Sequence, residues 1–472
     1  MRQLALKILV VTAITAIASF ALASARAADL SGDCCVDLEE RIAELEATVA
    51  RKGNRKLSLT ISGYVNLAVM YWDDGQESNA YVVTNDSGRT RLRFRGKAKI
   101  NNEWEAGYRL ELGFRANRSD RVDQIAPCRG DNVNFCRVID TRYSLWYVKS
   151  KTWGQVLVGR TESAAQNITE VNVTQTASIA KNSDVEDWAA GFQLVASRLS
   201  GADALSAIEW RRLVNDDFIQ GGEGNRIMGV QYVSPKFRGF WLESSWGQDD
   251  YWDVGLWYKG KHNNFKIAAG ITYGEFSDAL TLDKKCIVSG AELATLDKSD
   301  ADCRQIGGSF SALHEPTGLF LTFGAGWFRD ELISESITFA DTGADDDSTF
   351  YALQSGIEKK WHPLGKTTLY GEWFQHFGGA NDRTISADDP LNTQIADDFG
   401  PSNIWKSEMR VYGGGIVQGI DAAAMRLYLG WRHYEADVLL RQQSEDGVAD
   451  GLIANSPIRD LDVVMGGALM KF

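Results

Sequence analysis

The chain has 472 residues, 44% of them hydrophobic, with 45 Gly, only 7 Pro and 15 Trp. That length would ordinarily divide into two or three soluble domains, a large membrane barrel being the main exception, and the surplus of 63 acidic over 50 basic side chains argues against nucleic acid as a partner. Residues 1–27 read as a secretory signal: Arg2 and Lys7 precede the apolar run 8–22, and Ala25-Arg26-Ala27 is a small-residue cleavage site. The mature chain would start at Ala28 with 47 basic against 63 acidic residues, a net charge of −16. No other segment approaches the ~20 apolar residues of a spanning helix, so a membrane-spanning mature chain must be a closed barrel.

Residues 28–56 form a separate N-terminal segment. Within it, 36–51 (VDLEERIAELEATVAR) carry Leu38, Ile42, Leu45 and Val49 at 4-3-4 spacing, an a/d seam. Asp37 and Glu40 can form a capping pair. About two heptads is short for an isolated helix, so the seam points to self-association; packing on the chain's own barrel is the alternative. Lys52–Lys56 is a basic hinge. The six cysteines fall in three local pairs, Cys34/Cys35, Cys128/Cys136 and Cys286/Cys303. Export makes disulfides plausible, and the last two pairs would staple polar loops. Their spacings fit no common zinc pattern and suitable histidines are absent nearby. Cys34 and Cys35 are too close to bridge easily within one chain, which leaves an interchain link open.

From Leu57 the period changes to two. Leu57, Leu59, Ile61, Gly63, Val65, Leu67, Val69 and Tyr71 share one face, and Ser58, Thr60, Ser62, Tyr64 and Asn66 the other. Residues 89–100 put Arg89, Arg91, Arg93, Arg95, Lys97 and Lys99 on one face and Leu92, Phe94, Ala98 and Ile100 on the other. After a tight turn, 104–115 set Trp104, Tyr108, Leu110 and Leu112 against Glu105, Arg109, Glu111 and Arg115. A solvated or anion-binding surface sheet could do this; a barrel with an apolar lipid face and a charged lumen does it throughout. Strand-like runs continue to 461–472, alternating short links such as 152–153 and 261–263 with long polar ones such as 276–307, 330–348, 378–404 and 436–460. The expected fold is an all-β transmembrane antiparallel barrel over 57–472. It has about 18 strands if 190–198 and 204–212 cross as a hairpin and 16 if they do not.

The N-terminal stretch CCVDLEERIAELEATVARKGNRKLSLTISGYVN and the ending GGALMKF resemble the porins of alphaproteobacteria, especially the rhizobial type, over essentially the whole chain. The resemblance implies a passive diffusion porin for small hydrophilic solutes and ions: a homotrimer in outer-membrane lipid and lipopolysaccharide, each subunit having 16 strands with the third external loop folded into the pore. It also implies that Phe472 is read by the barrel-assembly machinery. The last strand departs from ideal alternation, because Met465 and Leu469 fall on the face opposite Val464, Met470 and Phe472. Ile42 and Val49 at a with Leu38 and Leu45 at d would favour two strands in an isolated coil, but lateral barrel packing should dominate two heptads. In some relatives an Ala-Asp mature N-terminus is joined to peptidoglycan; Ala28-Asp29 is compatible with that.

In this reading residues 164–187 are the constriction loop, with Glu170, Asp184, Glu186 and Asp187 facing the basic wall of Arg89, Arg91, Arg93, Arg95, Lys97 and Arg109. Opposed charges across a narrow gap orient dipolar solutes and tune selectivity. A solvated loop is the plain alternative for the acids. No cofactor and no metal is expected; Asp345-Asp346-Asp347 reads as a solvated loop. Nor is enzyme activity expected: His262, His314, His362, His376 and His433 sit in no recognisable nucleophile motif, and His433 with Asp437 reads as a strand-end pair. An outer-membrane hydrolase is the distant rival. A substrate-specific sugar or anion channel is the close one, with Trp146, Trp210 or Trp373 as sugar rails.

Overall fold

The computed structural model describes residues 57–125, 137–189, 191–197, 203–214, 221–247, 251–276, 303–330, 345–379, 384–393, 395, 400–443 and 451–472. The signal, the coiled-coil seam (Leu38, Ile42, Leu45, Val49) and Cys34, Cys35, Cys128, Cys136 and Cys286 lie outside them.

Sixteen antiparallel strands form the wall. The first eight are β1 Ser58–Asp73, β2 Arg91–Lys99, β3 Trp104–Ala116, β4 Arg137–Ser150, β5 Gly154–Glu162, β6 Arg226–Val233, β7 Phe240–Gly247 and β8 Trp252–His262. The rest are β9 Phe265–Phe276, β10 Cys303–His314, β11 Leu319–Asp330, β12 Asp347–His362, β13 Gly365–Phe377, β14 Ser402–Ile420, β15 Met425–Gln442 and β16 Leu461–Lys471. Each pairs with the next, and β16 returns to β1 in the register Tyr64↔Lys471 to Asp73↔Asp462. Closure leaves the wall without an unpaired edge, the condition for a sheet in hydrocarbon. Phe472 completes the seam: its N–H donates to Gly63 O (3.0 Å) and its carbonyl accepts from Gly63 N–H (2.9 Å). Gly63 is required there, since a Cβ would collide with the backbone carbonyl of Arg91.

Period two sets which side chains meet lipid. On β1, Val65, Leu67, Val69 and Tyr71 are 43–54% exposed, whereas Ala68, Met70 and Trp72 are buried inside. The links at one end are short, down to Asn263-Asn264, both at positive φ as a two-residue hairpin requires. At the other end they are long, except for 248–251. Ser58 and Lys471 both lie at the short-turn end.

The eighteen-strand count is wrong. Gln193–Ala196 and Ala204–Glu209 pair with each other in a separate two-stranded sheet. A four-residue strand cannot cross a bilayer that needs about 9–11, and Gln193, Leu194, Val195 and Ala196 are buried on both faces, where a wall strand would expose one to lipid. This hairpin belongs to the 163–225 link between β5 and β6, which otherwise pair directly from Gln155↔Val233 to Glu162↔Arg226.

Candidate pore and constriction loop

The β5–β6 link runs across the barrel interior. It is tied in at its start, where Asp253 on β8 accepts from Ala164 N–H (3.0 Å) and Ala165 N–H (2.7 Å). It then meets one inward polar side chain after another. Val171 N–H donates to Ser309 Oγ at 3.0 Å, Val173 N–H to Ser311 Oγ at 3.2 Å, Gln175 N–H to Glu358 Oε2 at 2.8 Å, and Gln354 Nε2 donates to Ala180 O at 3.0 Å. Each bond satisfies a backbone group that would otherwise be buried unpaired. The returning limb passes so close to β10 and β11 that Gly221 and Gly222 lie against Gly307 and Gly326 with no room for a Cβ.

At its far end the loop is held by Arg432 on β15, which has no solvent exposure. Its guanidinium donates to Lys181 O (2.7 Å), Val185 O (3.1 Å) and Glu372 on β13 (2.8 and 3.3 Å), and lies 4.5 Å from the Trp188 ring centroid. Tyr434 Oη also donates to Val185 O at 2.9 Å. Around this anchor the interior is dry. Trp188, Phe192, Trp210 and Leu213 of the link pack with Trp72, Phe350, Val411, Tyr434 and Met465 of the wall in one buried cluster. The imperfect alternation of the last strand is thereby explained: Val463, Met465 and Leu469 face inward and are buried under the link.

Four carboxylates of the link surround one ammonium. Lys181 Nζ donates to Glu170 (2.8 Å) and Asp184 (2.7 Å) and stands 3.8 Å from Asp187. Glu223 joins from the returning limb, bonded by Thr169 Oγ1 and Asn167 N–H. Burial, and then their mutual repulsion, raises Glu170 and Glu223 to about 7 and raises Asp184 and Asp187 as well. Lys181 is held well above its usual range, because these carboxylates outweigh its burial. Asp86 in the first long link goes the other way: burial is outweighed by Arg89 (2.8 Å) and Arg118 (3.9 Å), which depress it.

On β2 to β4 the basic ladder stays wet. Glu111, fully buried on β3, accepts from Arg93 Nε (2.6 Å), Arg109 Nη2 (2.9 Å), Arg142 Nε (3.0 Å) and Arg91 Nη1 (3.4 Å). The side chains of Arg91, Arg93 and Arg109 remain 16–23% exposed, against zero for Arg432. Arg109 and Arg226 lie over the Tyr143 ring at 3.5 and 5.8 Å. Arg95 and Lys97 are exposed further toward the short-turn end.

Several residue-level expectations are corrected. The loop acids do not face the length of the ladder: Glu170, Asp184 and Asp187 turn to Lys181, Glu186 is 2% exposed, and the Asp187 charge reaches Arg89 at the start of the ladder. The reason is that Lys181, within the same loop, is nearer than any wall arginine. Trp146 and Trp373 are 53% and 39% exposed on the outer face, and Trp210 is buried in the link, so none is a lumen rail. His433 bonds Asp462 (3.0 Å), not Asp437, which pairs with Arg410 at 2.6 Å. Cys303 is buried and disulfide-bonded at the start of β10.

Arg142, Arg226, Arg432 and Glu372 were missed. Arg142 was hidden by the register shift beside Glu111, which changes the phase of alternation along β4. Arg432 and Glu372 had a signal: each is a charge next in phase to an aromatic residue on the inward face, Tyr434 on β15 and Tyr370 and Phe374 on β13.

Residues 11–356, most of the chain, match the family model described as Gram-negative porin. No curated protein matches the sequence. Among solved structures, the anion-selective porin from Comamonas acidovorans is similar at 14% identity, over 88% of this chain and 100% of that one, with a TM-score of 0.49. OmpT, an outer membrane protein of Vibrio cholerae, matches at 10% identity over 90% and 100%, with a TM-score of 0.46. The Salmonella typhi OmpF complex with daunomycin matches at 10% identity over 89% and 99%, also at 0.46.

Proposed function

The chain belongs to the Gram-negative porin family and is a passive diffusion channel of the outer membrane, and from that premise we propose that its conducting path is the strip of lumen between the 164–187 loop and the arginine wall. One contrast carries this reading. The loop is anchored in a dry core around Arg432, whereas Arg91, Arg93 and Arg109 keep contact with lumen water. A water-filled path needs hydrated walls, and only the second region supplies them.

The test is thiol accessibility. A cysteine introduced at Arg95 should react with a charged thiol reagent and reduce single-channel current. A cysteine at Met465 should not react in the folded protein. Equal reaction at both sites would mean that the whole bore conducts.

The finer family features belong to the same proposal. The N-terminal stretch supports a rhizobial-type, alphaproteobacterial porin with residues 1–27 removed and a periplasmic 28–56 segment. Its seam supports a homotrimer. Phe472, 61% exposed at the closing seam, suits recognition by the barrel-assembly machinery. Surrounding lipid and lipopolysaccharide, a peptidoglycan link through Ala28-Asp29, and staples at Cys128/Cys136 and Cys286/Cys303 complete it. Monomeric full-length protein in mild detergent would remove the trimer from this proposal.

A further inference from the structure

The sequence as a whole is acidic, yet the charges turned inward between the arginine wall and the short-turn mouth are mainly basic. Alternation carries the inner face of β2 from Arg93 to Lys97 and Lys99. Asp253 bonds the loop amides from inside, so Lys259 and Lys261 on the same face of β8 also point inward, and Lys266 pairs with Lys261 on β9. The acids among them are engaged: Glu315 with Lys261 and Lys266 (3.2 Å each), Glu358 with Lys366 (2.9 Å) and Glu243 with Gln231 and Trp241 (3.0 and 2.7 Å), while Glu105 stands across from Lys99. A low-dielectric wall lined by one sign of charge focuses its field along the lumen and concentrates counter-ions there.

At the inner end of this mouth, four guanidiniums converge on the carboxylate of Glu111, and a second carboxylate, Glu162, stands at the edge of the cluster, 3.8 Å from Arg109 Nη1 and bonded by Tyr143 Oη. A carboxylate offers about four lone-pair sites and each guanidinium five N–H donors. Glu111 is therefore saturated before the donors are used up; Arg91 Nε goes to Arg89 O, and the exposed parts of Arg91, Arg93 and Arg109 face the lumen. Arg226 adds a fifth guanidinium beside the shared Tyr143 ring. Planar forks match pairs of oxygens bidentately, which a halide cannot exploit. The excess of positive charge favours two negative charges over one.

We propose that the cluster of Arg91, Arg93, Arg109 and Arg142 around Glu111 is a binding site for small divalent oxyanions, with inorganic phosphate as the simplest, fed by the lysine-rich mouth. This rests on the porin reading. The anion binds in transit: the guanidiniums replace part of its hydration, and continuity with the lysines lets it leave.

The test is planar-bilayer recording of the full-length protein in a chloride salt gradient, with inorganic phosphate then added at pH 8. The reversal potential should have the sign of anion preference, and phosphate should reduce chloride current with saturation. Arg93→Gln with Arg109→Gln should raise the half-blocking phosphate concentration at least about tenfold, since a hydrogen bond to a charged group is worth about 1.5–3 kcal/mol. Arg91 and Arg142 still neutralise Glu111 in that variant, and heat-modified gel mobility checks its folding. Arg93→Lys with Arg109→Lys should keep the anion preference but lose the block, which separates fork recognition from charge. Cation preference in the wild type, an unsaturable phosphate effect, or block as strong as the wild type's in either variant would overturn the proposal. Those outcomes would still show an open water-filled channel; absence of any conductance would instead sink the porin reading.

Discussion

The two sides of the barrel interior are built on opposite principles from the same strand geometry. Along β12 to β16 and β1, inward residues such as Phe350, Phe374, Val411 and Met465 are sealed beneath the β5–β6 link. Arg432 there is fully buried and spends its donors on Glu372 and loop carbonyls. Along β2 to β4 the inward residues are charged, and they stay hydrated around Glu111. A charge on the dry side is therefore a structural brace, and a charge on the wet side is a functional surface. The same substitution should cost stability on one side and change permeation on the other.

The largest effect is expected from Arg432→Met. It strands Glu372 in a dry site, frees the carbonyl of Lys181 and leaves that of Val185 to Tyr434, and breaking a buried pair in this way costs about 3–5 kcal/mol. Urea unfolding of the detergent-solubilised protein should show the loss, and single-channel records should become noisier as the loop is released. A quiet channel of normal stability would show that the loop is held by something else.

Next comes Trp188→Ala, which empties a fully buried site beneath the loop. A loss of about 3 kcal/mol or more is expected from the cavity, measured by the same unfolding curve, with chloride-to-potassium preference unchanged.

The carboxylate–lysine cluster makes loop anchoring pH-dependent. Glu170 and Glu223 titrate near 7 in the folded protein, raised by burial, against about 4.3 in an unfolded chain. The folded state therefore binds more protons, so this contribution is fully present below about pH 4 and is lost as pH rises through about 7. Protection of the amides of residues 164–187, taken relative to the intrinsic exchange rate at each pH, should be greater at pH 5 than at pH 9. Glu170→Gln with Glu223→Gln should flatten the difference; an unchanged slope would assign it elsewhere.

On the wet side, Arg93→Ala with Arg95→Ala should leave unfolding within about 1 kcal/mol, because lumen water hydrates what replaces them. The reversal potential should move toward cations. Glu186→Ala, at a buried position, should move it far less than an acid facing the gap would; a large shift would return Glu186 to the constriction. Smallest of all, Lys360→Ala at the rim, paired with Asp421 at 3.4 Å with both side chains more than half exposed, should change stability by no more than about 0.5 kcal/mol.

The sequence by itself determined the barrel, because alternation is a local property. Leu92 and Phe94 between Arg91, Arg93 and Arg95 can satisfy lipid and water at once in one orientation only. The run of short and long links then ordered the ends, and 164–187 could be named as the loop that enters the lumen. What period two cannot say is whether the inner face meets water or protein. Met465 and Leu469 break the alternation of the last strand because the link covers them, leaving both buried. The 193–209 hairpin had strand propensity without strand length, and only its burial on both faces removed it from the wall. Arg142 escaped because a bulge shifts phase. The partners of Lys181, Arg432 and Glu111 likewise come from strands far apart in the chain. Charge pairing depends on distances set when the barrel closes and the loop folds in, so local pattern supplied the charged residues and tertiary structure alone decided which of them brace the fold and which line the path.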